Sequence, residues 1–406
     1  MEDSLSQLTD DLLIKILSFA SITDAVTTSM LSKRWLYLWT MLPRLNFIDR
    51  THILSSDFIF GTLLLNKSPV LESFHLERDC ECSDSQIELW VRFAVDRFVR
   101  DLSIAFNLDS CVVRFPSRLF RCETLETLKL RNVILLEVPS RVSFQSLKTL
   151  RLVAVKYPDE ESFVRLISGS PVIKNLEVGS FEDDNVETFT INVPSLQSLT
   201  IWKYYEYYRL FVIHSRSLKE LDIEIDYGEV KLIGDMPELV KASLKAFHSE
   251  VNVLKSLTSV KRLSLSHFGS KYHIGTIFSQ LVCLDFRGFC NNWWDLLVNL
   301  LQHSPRLEIL KFEDDGETEL EGKEIENGCW IQPSCAPECL YHLKTFEWRA
   351  YEGKPIQKEV AVYILKNASR LVTANLRYGP YMVGKKAFKE LEYATRGSRA
   401  CELTMC

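Results

Sequence analysis

Between Leu8 and Trp39, apolar residues recur at steps of three and four, the period of an amphipathic helix: Leu8, Leu12, Leu13, Ile16, Leu17, Val26, Met30, Leu31, Trp35, Leu38 and Trp39. Thr9 stands ahead of Asp10 and Asp11, a hydroxyl cap followed by two acids that suit the positive end of a first helix, which the spacing carries from Leu12 to Ser18. Thr23 or Asp24 caps a second helix running towards Met30 and Leu31. Ser32 caps a third that reaches Trp39 and is ended by Pro43. A helical unit of about 40 residues is too small to be comfortable on a core of its own, so its leucine and tryptophan surface is expected to be shared with another protein.

Further along, the spacing changes to Leu-x-x-Leu-x-Leu. It is read at Leu125-x-x-Leu128-x-Leu130, Leu147 to Leu152, Ile173 to Val178, Leu196 to Ile201, Leu218 to Ile223, Val260 to Leu265, Leu281 to Phe286 and Leu307 to Phe312. The pattern recurs every twenty-odd residues, and a degenerate copy over Met236–Leu244 fills the one long gap. Each Leu-x-Leu strand turns its leucines to a core that no single repeat can close, so the repeats must stack into a curved parallel sheet. Ser68-Pro69, Ser170-Pro171 and Ser304-Pro305 precede strands, and proline forbids the preceding helix from continuing. Each repeat therefore reads as a short helix, a stop and a strand. The asparagine that ordinary repeats carry three residues after the last leucine is missing, its places being Val133, Val155, Phe181, Tyr204, Asp226, Phe268, Phe289 and Asp315. An irregular solenoid is expected.

Alternate strand side chains point away from the core, so the residues between the leucines line the concave face. Lys129 and Arg151 fall there near the start, Asp222 in the middle and Asp285 later. Trp202 and Tyr204 open the densest aromatic stretch, Trp202 to Tyr208, and aromatic side chains give large contact area with a polar handle. These six residues are the candidate target-binding set. From Glu313 to Glu326 a run of acids repels itself and marks a solvated linker.

Composition narrows the function. The 406 residues carry a net charge of −6 with 46% hydrophobic and 25% charged residues. That is an ordinary globular balance without the concentrated basic patch that phosphate neutralisation needs, so nucleic acid is not an expected partner. No run is long enough to span a membrane, and the acidic N-terminus lacks the marks of a signal peptide. Eleven cysteines without an even framework read as reduced thiols, with the nucleus and/or cytoplasm as the expected location. Cys335-x3-Cys339-x2-His342 offers three potential ligands but no fourth at a zinc-site interval, so no metal or other cofactor is expected. No phosphate loop, nucleophile elbow or His-Glu-x-x-His occurs. The chain does not read as an enzyme.

The residues Leu8-x-Asp10-Asp11-Leu12-Leu13, Ile16-Leu17-Ser18 and Asp24-Ala25-Val26-x-Thr28-Ser29-x-Leu31-Ser32-Lys33-Arg34-Trp35 resemble the F-box of plant F-box proteins. The strings LKTFEWRAYEG and YILKNASRL and the terminal FKELEYATRGSRACEL resemble the FBD region at the C-terminus of many plant F-box/leucine-rich-repeat proteins. The fold so implied is α/β: a three-helix F-box, an irregular leucine-rich-repeat solenoid with helices on the convex side, and a C-terminal α/β cap. The divisions read as 1–49 F-box, 50–312 solenoid, 313–335 acidic linker and 336–406 FBD region. The resemblance implies a Skp-type adaptor as partner, and through it cullin and RING subunits of an SCF ubiquitin ligase. Leu8, Thr9, Leu12, Leu13, Ile16, Leu17 and Trp35 are the adaptor contacts it implies. Thr9 and Ser21 stand where the family pattern has proline, a departure that bears on adaptor affinity. The function so implied is a substrate-recognition subunit that holds a target protein near another protein's active site. A scaffold with a weakened F-box and a small-ligand receptor on the solenoid are the competing readings.

Overall fold

A computed structural model describes residues 7–49, 54–79, 82–107, 111–180, 185–204, 208–246, 252–266, 275–288, 293–314, 333, 336–379 and 391–405. The chain forms two compact units, Met1–Leu196 and Gln197–Cys406.

In the first unit, helices α1 (Asp10–Leu17) and α2 (Ile22–Thr27) precede strand β1 (Arg44–Ile48). Then come α3 (Ser56–Leu65), β2 (Ser73–Arg78), α4 (Asp84–Asp96), β3 (Asp101–Phe106), β4 (Cys111–Val113), β5 (Thr127–Leu135), β6 (Thr149–Lys156), α5 (Glu160–Ser168), β7 (Asn175–Ser180) and β8 (Thr188–Asn192). Strands β1, β2, β3, β5, β6 and β7 pair in that order, all parallel, and β4 adds to the far end of β5.

The leucines of successive repeats meet in register. Leu102, Leu128, Leu150 and Leu176 form one inward row, and Ile104, Leu130, Leu152 and Val178 a second. None of the eight is more than 3% exposed. Burying each is worth about 2 kcal/mol, a gain available only once the neighbouring repeat is present to cover it. Connecting segments close the back of the sheet: Phe163 of α5 meets Phe189 of β8 edge-on at 4.9 Å and Tyr157 at 5.9 Å.

The second unit continues the same device. It holds β9 (Ser198–Lys203), β10 (Leu210–His214), β11 (Glu220–Ile225), β12 (Glu229–Leu232), β13 (Lys241–Ala246), α6 (Asn252–Lys255), β14 (Arg262–Ser266) and β15 (Cys283–Gly288). It goes on through α7 (Trp293–Gln302), β16 (Ile309–Asp314), β17 (Thr345–Tyr351), α8 (Pro355–Asn367), β18 (Thr373–Tyr378) and β19 (Glu402–Met405). Strands β9, β11, β13, β14, β15, β16, β17, β18 and β19 pair in parallel. The degenerate repeat takes its place in this ladder, with Ala242 opposite Leu221 and Leu263. The C-terminal region supplies strand, helix, strand, in register with β16 and with one bulge between Trp348 and Tyr351, its inward residues enlarged to Phe346 and Trp348, which meet Phe312 edge-on at 5.6 and 5.1 Å.

Three expectations are corrected. The third N-terminal helix is absent as an α-helix: Trp35, Leu36 and Leu38 donate to Ser32, Ser32 and Trp35, and a 3-10 turn over Leu38–Met41 follows. Pro43 holds Leu42 extended (ψ 123°), which ends the helical turns there. The second helix is capped by Ser21, whose Oγ accepts the Asp24 N–H at 3.1 Å, and not by Thr23 or Asp24. The helix–stop–strand rule holds at α3, α5 and α7, which end before Ser68-Pro69, Ser170-Pro171 and Ser304-Pro305. It fails between β9 and β13, where Leu210-Phe-Val-Ile and Glu229-Val-Lys-Leu pair as parallel strands β10 and β12. Their alternating β-branched and aromatic residues suit a pleated surface better than a helix.

The missing asparagines have a structural counterpart. Asn132 and Ala154 take left-handed φ values of 53° and 50° and are skipped by the pairing, which runs Arg131↔Val153 and then Val133↔Val155. This stacked bulge reverses the alternation, so Val133 and Val155 turn into the core instead of a turn. Asn132 Nδ2 meanwhile donates to the Phe106 carbonyl at 2.7 Å, doing one position earlier what an asparagine ladder does. Phe181, Phe268, Phe289 and Asp315 lie outside the described residues, as does the acidic run apart from Glu313 and Asp314, which end β16.

Candidate functional site

The helical end of the first unit has two faces. Leu13 (0% exposed) and Leu17 (4%) turn inward with Ala25, Trp35, Leu38 and Trp39. Three of the residues implied as adaptor contacts, Leu13, Leu17 and Trp35, are therefore core in the free chain. Leu12 (47%) and Ile16 (48%) stand on the adjoining flank of α1, exposed, as are Phe19, Met30, Leu31, Leu36 and Tyr37 beyond it. Leu8 is half-buried and Thr9 exposed. Arg34 ties the module together: it pairs with Asp10 at 2.7 Å and donates to the Leu8 carbonyl. Thr9 and Ser21, the two positions without proline, have φ of −69° and −64°. That is the angle a proline ring imposes, so the backbone there already has the geometry the family residue would fix.

A polar joint anchors this module to the sheet. The buried Asn66 donates through Nδ2 to the Leu42 carbonyl at 3.0 Å and accepts the Ser68 N–H at 3.2 Å. Arg97 Nη1 reaches the Asn66 carbonyl and side chain, both at 2.7 Å, and the Ser68 carbonyl at 3.1 Å. Burial lowers the Arg97 pKa from its ordinary value.

On the outer face of the first unit, one row reads Asn46, His75, Ser103, Lys129, Arg151, Glu177 across neighbouring strands. Lys129 and Arg151 are thus side by side, and Arg151 pairs with Glu177 at 3.1 Å. His75 lies 3.1 Å from Asp101. Burial alone would raise the Asp101 carboxyl, but the His75 hydrogen bond and the charges of His75 and Lys129 outweigh it and hold it below the usual carboxylate value.

In the second unit two adjacent rows carry the chemistry. One reads Thr200, Asp222, Ser243, Ser264, Asp285, Lys311, Glu347, and the other Trp202, Glu224, Lys245, Ser266, Arg287, Glu313, Arg349. Lys245 pairs with Glu224 at 2.6 Å, Arg287 and Arg349 with Glu313 at 3.2 and 3.1 Å, and Arg349 also with Asp285. Trp202, Tyr204 and Asp222 come together at one end, the Trp202 and Tyr204 rings 6.0 Å apart. The Tyr204 phenol is pushed far above its ordinary pKa by burial, by its hydrogen bond to Glu224, and by the charges of Glu224, Asp226 and Asp222. It stays a neutral donor. Asp285 lies three strands from Asp222. Between them Ser243, Ser264 and Ser266 leave a cavity of about 230 Å³, walled by Asp222, Glu224, Lys245 and Arg287. Serines carry no pattern signal in a sequence, so this cavity was not foreseen there. Tyr205, Glu206 and Tyr207 lie outside the described residues.

Cys339, one of the candidate zinc ligands, is fully buried, and burial pushes its thiol up to about 12. Cys335 lies outside the described residues. Among the described residues no group of three His, Cys, Asp or Glu side chains is arranged to hold a metal ion, and no helix is long and apolar enough to cross a membrane.

Family models match three stretches: an F-box domain over residues 5–47, the LRR repeats of FBD-associated F-box protein At5g56370 over 87–240, and FBD over 332–376. F-box/FBD/LRR-repeat protein At5g56420 of Arabidopsis thaliana is 41% identical over 99% of this chain and 98% of its own length. F-box/FBD/LRR-repeat protein At4g26340 of the same plant is also 41% identical, over 99% of both chains. Among solved structures, an internalin from Listeria monocytogenes covers 86% of this chain and 93% of its own at 11% identity and a TM-score of 0.31, a likeness too slight to weigh beside the sheet's own register. Proteins of this make-up are in general non-catalytic adaptors, and their F-box in general binds Skp-type partners. An α/β chain whose helical head, stacked repeats and C-terminal strands each match, and which keeps two-fifths identity from end to end, is a member of the F-box/FBD/LRR-repeat family.

Proposed function

We propose that this chain is a substrate-recognition subunit of an SCF-type ubiquitin ligase, working in the nucleus or cytoplasm. Its F-box docks on a Skp-type adaptor, which joins it to cullin and RING subunits, and its repeats hold the target. The reading is carried by α1, a helix whose Leu13 and Leu17 are buried while Leu12 and Ile16 keep nearly half of their apolar surface open among the described residues. Docking would use Leu12 and Ile16 directly, with Leu8 and Thr9 at the helix start. Leu13, Leu17 and Trp35 would shape that surface from beneath. Target capture would fall to Trp202, Tyr204, Asp222 and Asp285 in the second unit and Lys129 and Arg151 in the first. The chain's contribution would be effective concentration: tethering brings a target lysine to a charged enzyme without any catalytic group here.

The test is association of the full chain with a purified Skp-type adaptor. Leu12→Asp with Ile16→Asp is expected to abolish binding while leaving thermal stability nearly unchanged, since both residues are exposed. No binding by the unmodified chain, or equal binding by the variant, would sink the proposal. Trp202→Ala with Tyr204→Ala is expected to weaken target capture and leave adaptor binding intact.

A further inference from the structure

We infer that the serine-floored cavity of the second unit is a socket for one arginine side chain of the target protein, an inference that rests on the target-capture reading above. The charges around the cavity largely cancel. Glu224 is neutralised by Lys245, and Arg287 by Glu313. Asp222 is left over: it is exposed on the cavity wall and makes no ion pair or side-chain hydrogen bond among the described residues. The residual charge of the socket is therefore one negative.

The floor is able to accept hydrogen bonds. Ser243 and Ser264 lie between Asp222 and Asp285 in a single cross-strand row. Neither hydroxyl has a partner among the described residues, and each offers two acceptor lone pairs. Asp285, beyond the cavity lining on the next strand, gives one oxygen to Arg349.

A guanidinium supplies what is missing. It carries one positive charge that does not titrate away, and five N–H donors spread over a plane. A lysine would meet the charge but bring three donors to a point, and a carboxylate would meet Asp222 with like charge. The cavity, at about 230 Å³, holds a side chain and not a folded element.

The experiment uses the full chain against arrays of short degenerate peptides whose central residue is fixed as arginine, citrulline, lysine or glutamate. Citrulline keeps the shape of arginine and loses its charge. Arginine pools are expected to retain about ten times more protein than citrulline pools, with lysine between them. That ratio is expected to fall to about one in Asp222→Asn, a surface change that leaves the sheet intact, and in Ser264→Leu, which fills the cavity. A ratio near one for the unmodified chain, a preference for glutamate, or an undiminished ratio in both variants would overturn the inference. Adaptor binding is measured alongside. An arginine preference without adaptor binding would refute the ligase reading and leave the socket standing, and adaptor binding without the preference would do the reverse.

Discussion

Asn66 is the most informative single residue of the joint between the helical module and the first repeats. Replacing it with alanine removes the donor to the Leu42 carbonyl and the acceptor for the Ser68 N–H and for Arg97 Nη1. Two neutral hydrogen bonds are worth about 1 kcal/mol each, and the charge-assisted one about 1.5–3 kcal/mol. Arg97 keeps its bonds to the Asn66 and Ser68 carbonyls, so the last figure is to be taken at its low end or below. The buried groups stranded at Leu42 and Ser68 push the other way, for a total of about 3 kcal/mol. The assay is amide hydrogen exchange, because the cost falls on local opening. Lys67 N–H donates to the Thr40 carbonyl at 2.6 Å and Glu72 N–H to the Pro43 carbonyl at 2.7 Å, so both amides report on the joint. Three kcal/mol corresponds to exchange roughly a hundredfold faster at these two amides, while those of β5 and β6 keep their rates. A change of less than about threefold at the joint, or an equal acceleration across the sheet, would refute the assignment of Asn66 as its keystone.

Phe98 closes α4 in the position where glycine is usual: its φ is 58°, its N–H donates to Val95, and Val99 N–H donates to Ala94. With 58% of Phe98 exposed, Phe98→Gly is expected to relieve more strain than it loses packing, adding about 1 kcal/mol and raising Tm by a few degrees in thermal unfolding. Asp101 sets a pH signature. Its carboxyl is held below its ordinary value in the fold, so its ionised form stabilises the folded state. That contribution is complete above the unfolded value near ~3.9 and is lost as pH falls through the lower folded value. The stability advantage of the native chain over Asp101→Asn is therefore expected at pH 6 and expected to vanish in denaturant titrations towards pH 2; an advantage that does not change with pH would contradict the His75 pairing.

The sheet was legible because its period is rigid. Once Leu128-x-Leu130 and Leu150-x-Leu152 are aligned, the pairing of Lys129 with Arg151 follows from alternation alone, and so does the line from Asp222 to Asp285. Val99-x-x-Leu102-x-Ile104 keeps the full spacing, and its strand pairs in register with Leu128 and Leu130, so this further repeat was legible too. Which side of α1 faced its own core could not be read. Leu12, Leu13, Ile16 and Leu17 satisfy the same helical period, and only tertiary packing decides that Leu13 and Leu17 are the covered pair. Arg34, Asn66 and Arg97 act through bonds to carbonyls more than twenty residues away, and no local pattern records such partners. The serines of the socket gave no signal because what matters there is the space they leave.

Strand β1, Arg44–Ile48, lies, all but its last residue, inside the stretch that matches the F-box, yet it pairs residue for residue with β2. Head and reader therefore share a seam instead of a linker, and cutting the chain at residue 49 would strip β2 of its neighbour. The bared edge would present unpaired N–H and C=O groups and the apolar flank of Phe74 and Leu76, a template for adhesion between molecules. Exchange of heads between relatives would succeed only where the crossover falls after β1 and the incoming strand brings its own counterparts of Leu45 and Phe47. For a lineage that diversifies by shuffling, such a seam makes the head and the first repeat a single unit of inheritance.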